Sequence, residues 1–180
     1  PSKQQEHAVR ILAELRKEKV NACLAVVGEA NLKEEMGYVE FLKSLSSDLQ
    51  VSDYVRFVGH REDVLDIMAS ADAVLHTSKY EGLPNVLVEA MSTGLPAVAS
   101  AVSAVPEAVE DGGNGLLVPP GHADHLAAAV ASLADPALRA RLGAAAAATV
   151  RARFRAEEGL TRLEALIAEA AAAGLLLRVH

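Results

Sequence analysis

Five short, largely apolar runs, separated by segments with helical spacing, constrain the fold more than any other feature of this sequence. The runs occupy residues 22–28, 54–59, 73–77, 96–100 and 116–120. Because apolar residues follow one another in these runs, we expect each strand to be covered on both faces, as in a parallel sheet. Strands that alternate with helices predict an α/β fold with right-handed crossovers, here a Rossmann-like doubly wound parallel sheet.

The same periodicity predicts the domain organisation. From about residue 122 onward the pattern is helical only, beginning with an apolar stripe at Leu126. We expect a Rossmann-like domain, C-terminal helices that pack on the same domain, and a short tail, over residues 1–134, 135–173 and 174–180 respectively. The tail is apolar enough to form a strand over 175–179, and it could instead lead into a tag.

The charge balance and the few aromatic residues exclude some classes of function. The chain has 24 acidic and 17 basic residues, a net charge of −7, no Trp, three Tyr and three Phe. A nucleic-acid-binding protein would need a basic surface for phosphates and aromatic rings for base stacking, so that class is not expected. No apolar run reaches the roughly 20 residues that a membrane-spanning helix needs.

A single cysteine, Cys23, lies in the first apolar run. One cysteine excludes a disulfide framework within the chain, and it fits a reducing, cytoplasmic compartment. We expect Cys23 to be a small core residue.

The segment SKYEGLPNVLVEAMSTGLPAVAS, residues 78–100, carries the strongest functional pattern. A turn follows a strand and leads into a helix that begins near Pro84, whose first N–H groups can bind an anion. Gly82 lets a phosphate approach the backbone, and the carboxylates of Glu81 and Glu89 can accept hydrogen bonds from sugar hydroxyls on either side. A nucleotide-sugar presents sugar, diphosphate and ribose in that order.

Spacing alone leaves an ordinary interpretation open. Glu89 could be an exposed helix residue, and Glu81 could simply interact with the helix dipole.

The whole string EGLPNVLVEAMSTGLPAVAS resembles the E-x7-E signature of the group 1, family 4-like, retaining glycosyltransferases, which have the GT-B architecture. Other segments are similar in the same order, namely LAVVGEA, VRFVGHREDV, ASADAVLHTSKYEG and VPEAVEDGGNGLLVPPGHADHLAAAV. Two segments depart from the family pattern: GEAN stands where GDGP is usual, and RFRAEE lacks the Ser-Trp of RFSWE. The resemblance covers about residues 1–168.

The resemblance implies roles for individual residues. Glu81 would lie against the donor hexose, Glu89 would bind the ribose hydroxyls, and Lys3 would neutralise the leaving diphosphate. Backbone groups would hold the diphosphate at Gly82, Leu83, Pro84, Asn85 and Val86. The nucleobase and its surroundings would be bordered by Gly28, Val58, Gly59, His60 and Arg61. For Lys3 a frayed terminal residue, and for Arg61 a surface charge, are equally good interpretations.

The resemblance further implies the reaction and the partners. The chain would be the donor-binding half of a hexosyltransferase that transfers a hexosyl group from a nucleotide diphospho-sugar to an unknown hydroxyl acceptor. It would need no cofactor. With no Asp-x-Asp pair or His/Cys cluster in the sequence, we expect no metal. A first strand, an arginine and an acceptor-binding N-terminal domain would precede Pro1, and that domain could contact a membrane peripherally. The chain alone should bind donor weakly and not turn over.

Two other functions remain open. One is a non-catalytic, receiver-like doubly wound binding domain, although the acids and lysine of a phospho-acceptor site are not evident. The other is a sugar-nucleotide epimerase of the same architecture.

Overall fold

A computed structural model describes residues 3–30, 32–82 and 84–172. The expectations for Leu83 and for the tail at 174–180 fall outside these residues. Five strands form: β1 Leu24–Val27, β2 Val55–Gly59, β3 Val74–His76, β4 Ala97–Ser100 and β5 Gly115–Val118. The helices are α1 Gln5–Lys17, α2 Lys33–Asp48, α3 Val64–Ala69, α4 Asn85–Ser92, α5 Val105–Ala108, α6 Ala123–Ser132, α7 Pro136–Arg153 and α8 Ala156–Ala172, with a 3-10 turn at Ser52–Tyr54.

All strand pairs are parallel, which confirms the predicted fold class. β1 pairs with β2, and β4 lies between β3 and β5. Strands β1 to β4 fall within the apolar runs, β5 begins one residue before the run at 116–120, and successive strands are joined by helices. The carboxyl ends of the strands in each sheet therefore point the same way, and that edge is where a ligand of such a fold binds.

Within the described residues the strands form two sheets, because β1 and β3 do not pair with each other. Helix α1 lies over both sheets. Val9 and Leu12 pack with the β1–β2 core, whereas Ile11 and Leu15 pack with residues of β4, β5 and α6.

Strand β4 is the centre of the larger sheet. All four of its residues are buried; Ala97 and Ala99 face the cluster formed with α4, α5 and α7, and Val98 faces the cluster that includes α1 and α6. Helices thus cover both faces of this sheet, as the apolar run at 96–100 predicts.

Strand β1 differs from the expectation of a fully buried strand. Cys23 and Ala25 are exposed, while Ala22, Leu24 and Val26 pack toward α1 and α2. The prediction of Cys23 as a core residue is therefore wrong. The physical reason is the side-chain period of two: helices cover only the face on which the even-numbered residues lie.

The C-terminal helices α7 and α8 pack against the domain to different extents. Helix α7 contacts α4 and places Ala146 and Val150 in a core cluster. Helix α8 departs from the expectation of packing on the domain, because its large apolar side chains are 54–62% exposed, at Leu160, Leu163, Leu166 and Ile167. No helix in the described part of the chain is long and apolar enough to cross a membrane.

Candidate functional site

The chain that leaves β3 meets the chain that enters α1 at the carboxyl edge of the sheet. The carboxylate of Glu81 accepts a hydrogen bond from Lys3, with Nζ 2.6 Å from Oε1, and the same oxygen lies 3.1 Å from Nε2 of His76. The Glu81 side chain is 13% exposed and that of Lys3 is 52% exposed. Two residues 78 positions apart in sequence are thus brought together.

Backbone contacts fix Lys3 in place. The Thr77 hydroxyl donates to the carbonyl oxygens of Lys3 at 2.9 Å and of Gln4 at 3.0 Å. Gln4, the residue before α1, adopts a left-handed backbone with φ 48°. Such a conformation is unfavourable for a residue with a side chain and persists where surrounding contacts hold it. Lys3 is therefore tied to the end of β3 and is not a frayed terminal residue.

The loop after β4 supplies a further contact to Glu81. The amide of Glu81 donates to the hydroxyl of Ser103 at 3.3 Å. Ser103 is also left-handed, with φ 48°. Three separate chain segments therefore converge on Glu81.

The charge states of Glu81 and His76 follow from these contacts. Burial opposes ionisation of Glu81, but hydrogen bonds from Lys3 and Ser78 and the charge of Lys3 outweigh it, so the pKa of this carboxyl lies below its ordinary value. Burial lowers the pKa of His76 despite the nearby Glu81 carboxylate. At neutral pH, Glu81 is an anion and His76 is neutral, and the neutral ring can donate from Nε2.

Helix α4 begins at Asn85, four residues after Glu81. Its N-cap is Pro84, which makes no side-chain capping hydrogen bond, and its first turn carries no acidic residue. The first amides of the helix are therefore open to an external anion. A Cβ built on Gly82 would meet no atom within 4 Å, so the backbone before the helix is also accessible. Glu89 is exposed on the helix surface.

The side of α4 that faces the core carries Leu87, Ala90 and Met91, which are buried, whereas Val86 is 39% exposed.

A cavity of about 610 Å³ lies at the carboxyl end of β1, beside the start of α1. Lys3, Gln5, Gly28 and Tyr38 are among its lining residues. Gly28 has φ 136°, a backbone that favours glycine, and its amide donates to the Gly59 carbonyl at 2.9 Å. The Tyr38 hydroxyl donates to Glu6, and burial with this hydrogen bond raises the pKa of Tyr38 to about 12.

Two buried polar atoms at this edge have no hydrogen-bond partner. They are Oε1 of Gln5, whose residue lines the cavity, and Nδ1 of His76. Unpaired buried polar atoms are costly, and they are often found where a ligand or water completes the bonding.

The segment after β2 has a simpler arrangement. Arg61 is exposed and forms two hydrogen bonds, of 2.7 and 2.6 Å, with the carboxylate of Asp63. The guanidinium holds the pKa of Asp63 below its ordinary value. His60 is exposed, and Val58 and Gly59 are half-buried. The interpretation of Arg61 as a surface charge therefore agrees with its contacts.

Sequence reasoning missed the residues that surround Glu81. His76 and Ser103 contact Glu81, Thr77 bonds the backbone of Lys3 and Gln4, and Asp63 pairs with Arg61. A usable signal existed for two of them, because His76 and Thr77 are polar residues that end an otherwise apolar strand. It also missed a compact group of His122, Asp124 and His125, whose ligand atoms lie within 4.8 Å of one another.

Acidification should test the buried state of His76. The unfolded chain protonates this histidine near pH 6.5, whereas the folded chain does so only at lower pH, so the free energy of unfolding should fall between pH 7 and pH 5. Glu81 stays ionised over this range because its pKa is also lowered. Urea unfolding at pH 7, 6 and 5 should show a smaller decrease for His76→Leu than for the wild type.

His60→Leu is the matched control, since His60 is exposed. An equal decrease with pH in the wild type and in His76→Leu would contradict the buried neutral state.

Known proteins share this arrangement of segments. A profile of the family described as "Glycosyl transferases group 1" matches residues 1–149. The chain belongs to this family. The matched region contains Lys3, Glu81 and Glu89, and it ends before α8.

Individual glycosyltransferases extend the similarity. LpsD of Rhizobium meliloti strain 1021, a lipopolysaccharide core biosynthesis glycosyltransferase, is 34% identical over 146 residues, which are 81% of this chain and 40% of LpsD. Anabaena HepE, solved in complex with UDP, is 32% identical with a TM-score of 0.83, covering 96% of this chain and 46% of HepE. Sucrose-phosphate synthase from Thermosynechococcus elongatus is 31% identical with a TM-score of 0.87, covering 96% and 43%.

These comparisons confirm the family and the GT-B type of α/β domain. They also show that this glycosyltransferase chain spans about a third of the length of the curated relatives it matches and less than half of the solved structures.

Proposed function

We propose that this chain is the donor-binding half of a retaining glycosyltransferase that uses a nucleotide diphospho-sugar. The observation that carries the proposal is the position of the Glu81 carboxylate, held by Lys3 and His76 beside the open start of α4. An anion-binding site next to a fixed carboxylate suits a ligand in which a diphosphate is bonded to a sugar.

The diphosphate would bind at the amides that begin α4, between Gly82 and Val86. Transfer breaks the bond between the sugar C1 and a diphosphate oxygen and forms a bond from C1 to the acceptor oxygen with retained configuration, and the proton of the acceptor hydroxyl passes to the departing diphosphate. The departing diphosphate gains negative charge, which the α4 amides and the ammonium group of Lys3 would stabilise without reorganisation. We propose that this stabilisation operates without a metal ion.

Glu81 would orient the hexose rather than attack it. Its carboxylate is held by Lys3 and His76, which both contact Oε1, and by a hydrogen bond from Ser78, and its remaining lone pairs can accept hydrogen bonds from sugar hydroxyls. Sharing Lys3 between Glu81 and the diphosphate would couple the binding of the two halves of the donor.

The nucleoside end would lie toward β1 and β2. Glu89 is exposed on α4 and is the carboxylate available to the ribose hydroxyls. The base would be bordered by backbone groups near Gly28 and Gly59, which are joined by a hydrogen bond. Structural relatives support a uridine nucleotide, since HepE has been solved in complex with UDP and with UDP-glucose. A 34% identical mycobacterial mannosyltransferase is described as GDP-mannose-dependent, so a guanosine donor is the alternative.

A thermal-shift panel tests the proposal on the 180-residue chain. UDP-glucose, GDP-mannose and ADP-glucose should be compared at matched concentrations, and one of them should raise the unfolding temperature because it binds only the folded state. Glu89→Gln should reduce the shift with that donor. Glu164→Gln, an exposed glutamate on α8, should leave it unchanged.

Absence of a shift with every nucleotide-sugar up to millimolar concentration would favour the non-catalytic binding domain. A shift that Glu89→Gln leaves intact would place the ribose elsewhere.

A further inference from the structure

The start of α6 carries a cluster of metal-ligating side chains that the proposed transfer reaction does not use. His122, Asp124 and His125 offer ligand atoms that all lie within 4.8 Å of one another. The two imidazole rings are nearly parallel, 11° apart, with centroids separated by 4.9 Å. Nε2 of His125 lies 3.7 Å from Oδ2 of Asp124, too far for a hydrogen bond. The three groups therefore lie close together without being tightly bonded to one another.

The chemistry of these ligands selects among cations. Two imidazoles with one carboxylate suit Zn²⁺ and neighbouring transition-metal ions, whereas Mg²⁺ and Ca²⁺ favour oxygen ligands. Zinc binds such groups at about 2.0–2.2 Å, which sets ligand atoms about 3.3 Å apart in a tetrahedron. The ligand atoms already lie within 4.8 Å of one another, and the three side chains are exposed, so rotation of these side chains can bring the atoms closer.

The backbone that carries the ligands is well anchored. His122 is the N-cap of α6 and has non-helical angles, φ −106° and ψ 75°. Because these angles are not helical, the His122 side chain can lie near those of Asp124 and His125, although side chains at positions i and i+2 point in different directions in a regular helix. Leu126, one residue beyond the cluster, is buried in the core with Ile11 and Leu15 of α1. Gly121, with φ 86°, supplies the turn that precedes the cluster.

We propose that His122, Asp124 and His125 bind one divalent transition-metal ion of the zinc type, with water completing its coordination. All three side chains are exposed, so the site is accessible and the ion exchanges readily. The dipole at the start of α6 opposes a cation, and the Asp124 carboxylate in the first turn offsets it.

This site uses none of the residues proposed to bind the donor. It follows β5, and β4 lies between β5 and the strand that precedes Glu81. Binding of the ion therefore does not rest on the proposed function, and either proposal can fail without the other.

Isothermal titration of the 180-residue chain with ZnCl₂ at pH 7.5 tests the proposal. Cys23 is exposed and could bind zinc, so Cys23→Ser serves as the parent. One ion per chain should bind. Loss of a residue that merely supports a metal ligand lowers affinity by about 10- to 100-fold, so His122→Ala and His125→Ala should each weaken binding by at least about tenfold.

The controls separate this site from background binding. His60→Ala removes an exposed histidine on another loop and should leave the titration unchanged. MgCl₂ should not compete, because Mg²⁺ favours oxygen ligands. Circular dichroism should show that each variant remains folded. No zinc binding by the parent, or equal affinity in the His122→Ala/His125→Ala double variant, would overturn the proposal.

Discussion

Replacing Glu81 by Gln in the complete enzyme should lower kcat strongly while nucleotide affinity is retained. The substitution keeps the size of the side chain but removes the charge that Lys3 and His76 contact. Loss of one preorganised electrostatic interaction at a reacting centre typically costs about 10²- to 10³-fold in kcat. The diphosphate and ribose contacts proposed for α4 are untouched, so the Kd for the nucleoside diphosphate should not change.

Steady-state kinetics and calorimetric titration with the nucleoside diphosphate separate these two effects. Glu164→Gln is the matched control, because it makes the same chemical change on the exposed surface of α8. An undiminished kcat in Glu81→Gln would reject the proposed role. A parallel loss of kcat and nucleotide affinity would indicate that Glu81 maintains the structure of the whole site.

Gly143→Ala should destabilise the fold, although alanine is the better helix former. A Cβ at Gly143 would lie 2.1 Å from the carbonyl oxygen of Gly94, which is backbone and cannot rotate away. Overpacking of this kind costs about 3 kcal/mol at the upper end of its usual range. The gain in helix propensity from glycine to alanine is about 1 kcal/mol. The net expectation is a loss of about 2 kcal/mol, or about 4–8 °C in Tm for a chain of this size.

Gly159→Ala provides a control of opposite sign. Gly159 lies in α8, is exposed, and would have no atom within 4 Å of a new Cβ. Only the helix-propensity gain applies there, so Tm should be unchanged or raised. Equal Tm values for the two variants in thermal denaturation would show that α7 does not approach the Gly94 turn as closely as described.

The close contact also explains a feature of the packing. Glycine at position 143 lets the α7 backbone approach the turn after α4, where Gly94 has φ 84°. The contact holds α7 against α4, the helix whose first residues form the proposed diphosphate site. The packing that Gly143 permits and the proposed diphosphate site therefore both involve α4.

Much of the fold could be predicted because its determinants are local. Apolar runs with glycine or turn residues at their ends located all five strands, and Pro84 marked the start of α4. The burial of β4 followed from an uninterrupted apolar run between two helices. The acid pair could be identified as a candidate because the signature that carries Glu81 and Glu89 is contiguous in sequence.

The rest depends on contacts that a single sequence does not display. Cys23 lies in a run as apolar as that of β4, yet it is exposed, because coverage of a strand depends on where helices pack. His76 contacts Glu81 through a turn whose geometry the residue types do not specify. The sequence analysis placed Arg61 beside the nucleobase and did not consider Asp63, two residues away, as its partner.

The exposure of the apolar face of α8 also could not be predicted from the sequence. Leucines at helical spacing predict packing, but within the described residues those side chains remain exposed. Periodicity identifies an amphipathic helix and does not identify the surface that covers it.

The most direct test of the central proposal is a backbone-amide NMR titration of the 180-residue chain with UDP, repeated with uridine. If the start of α4 binds a diphosphate, the largest shifts with UDP should fall on the amides of Gly82, Asn85 and Val86, and uridine should not reproduce them. Shifts that cluster away from α4, or that uridine produces equally at these amides, would contradict the account.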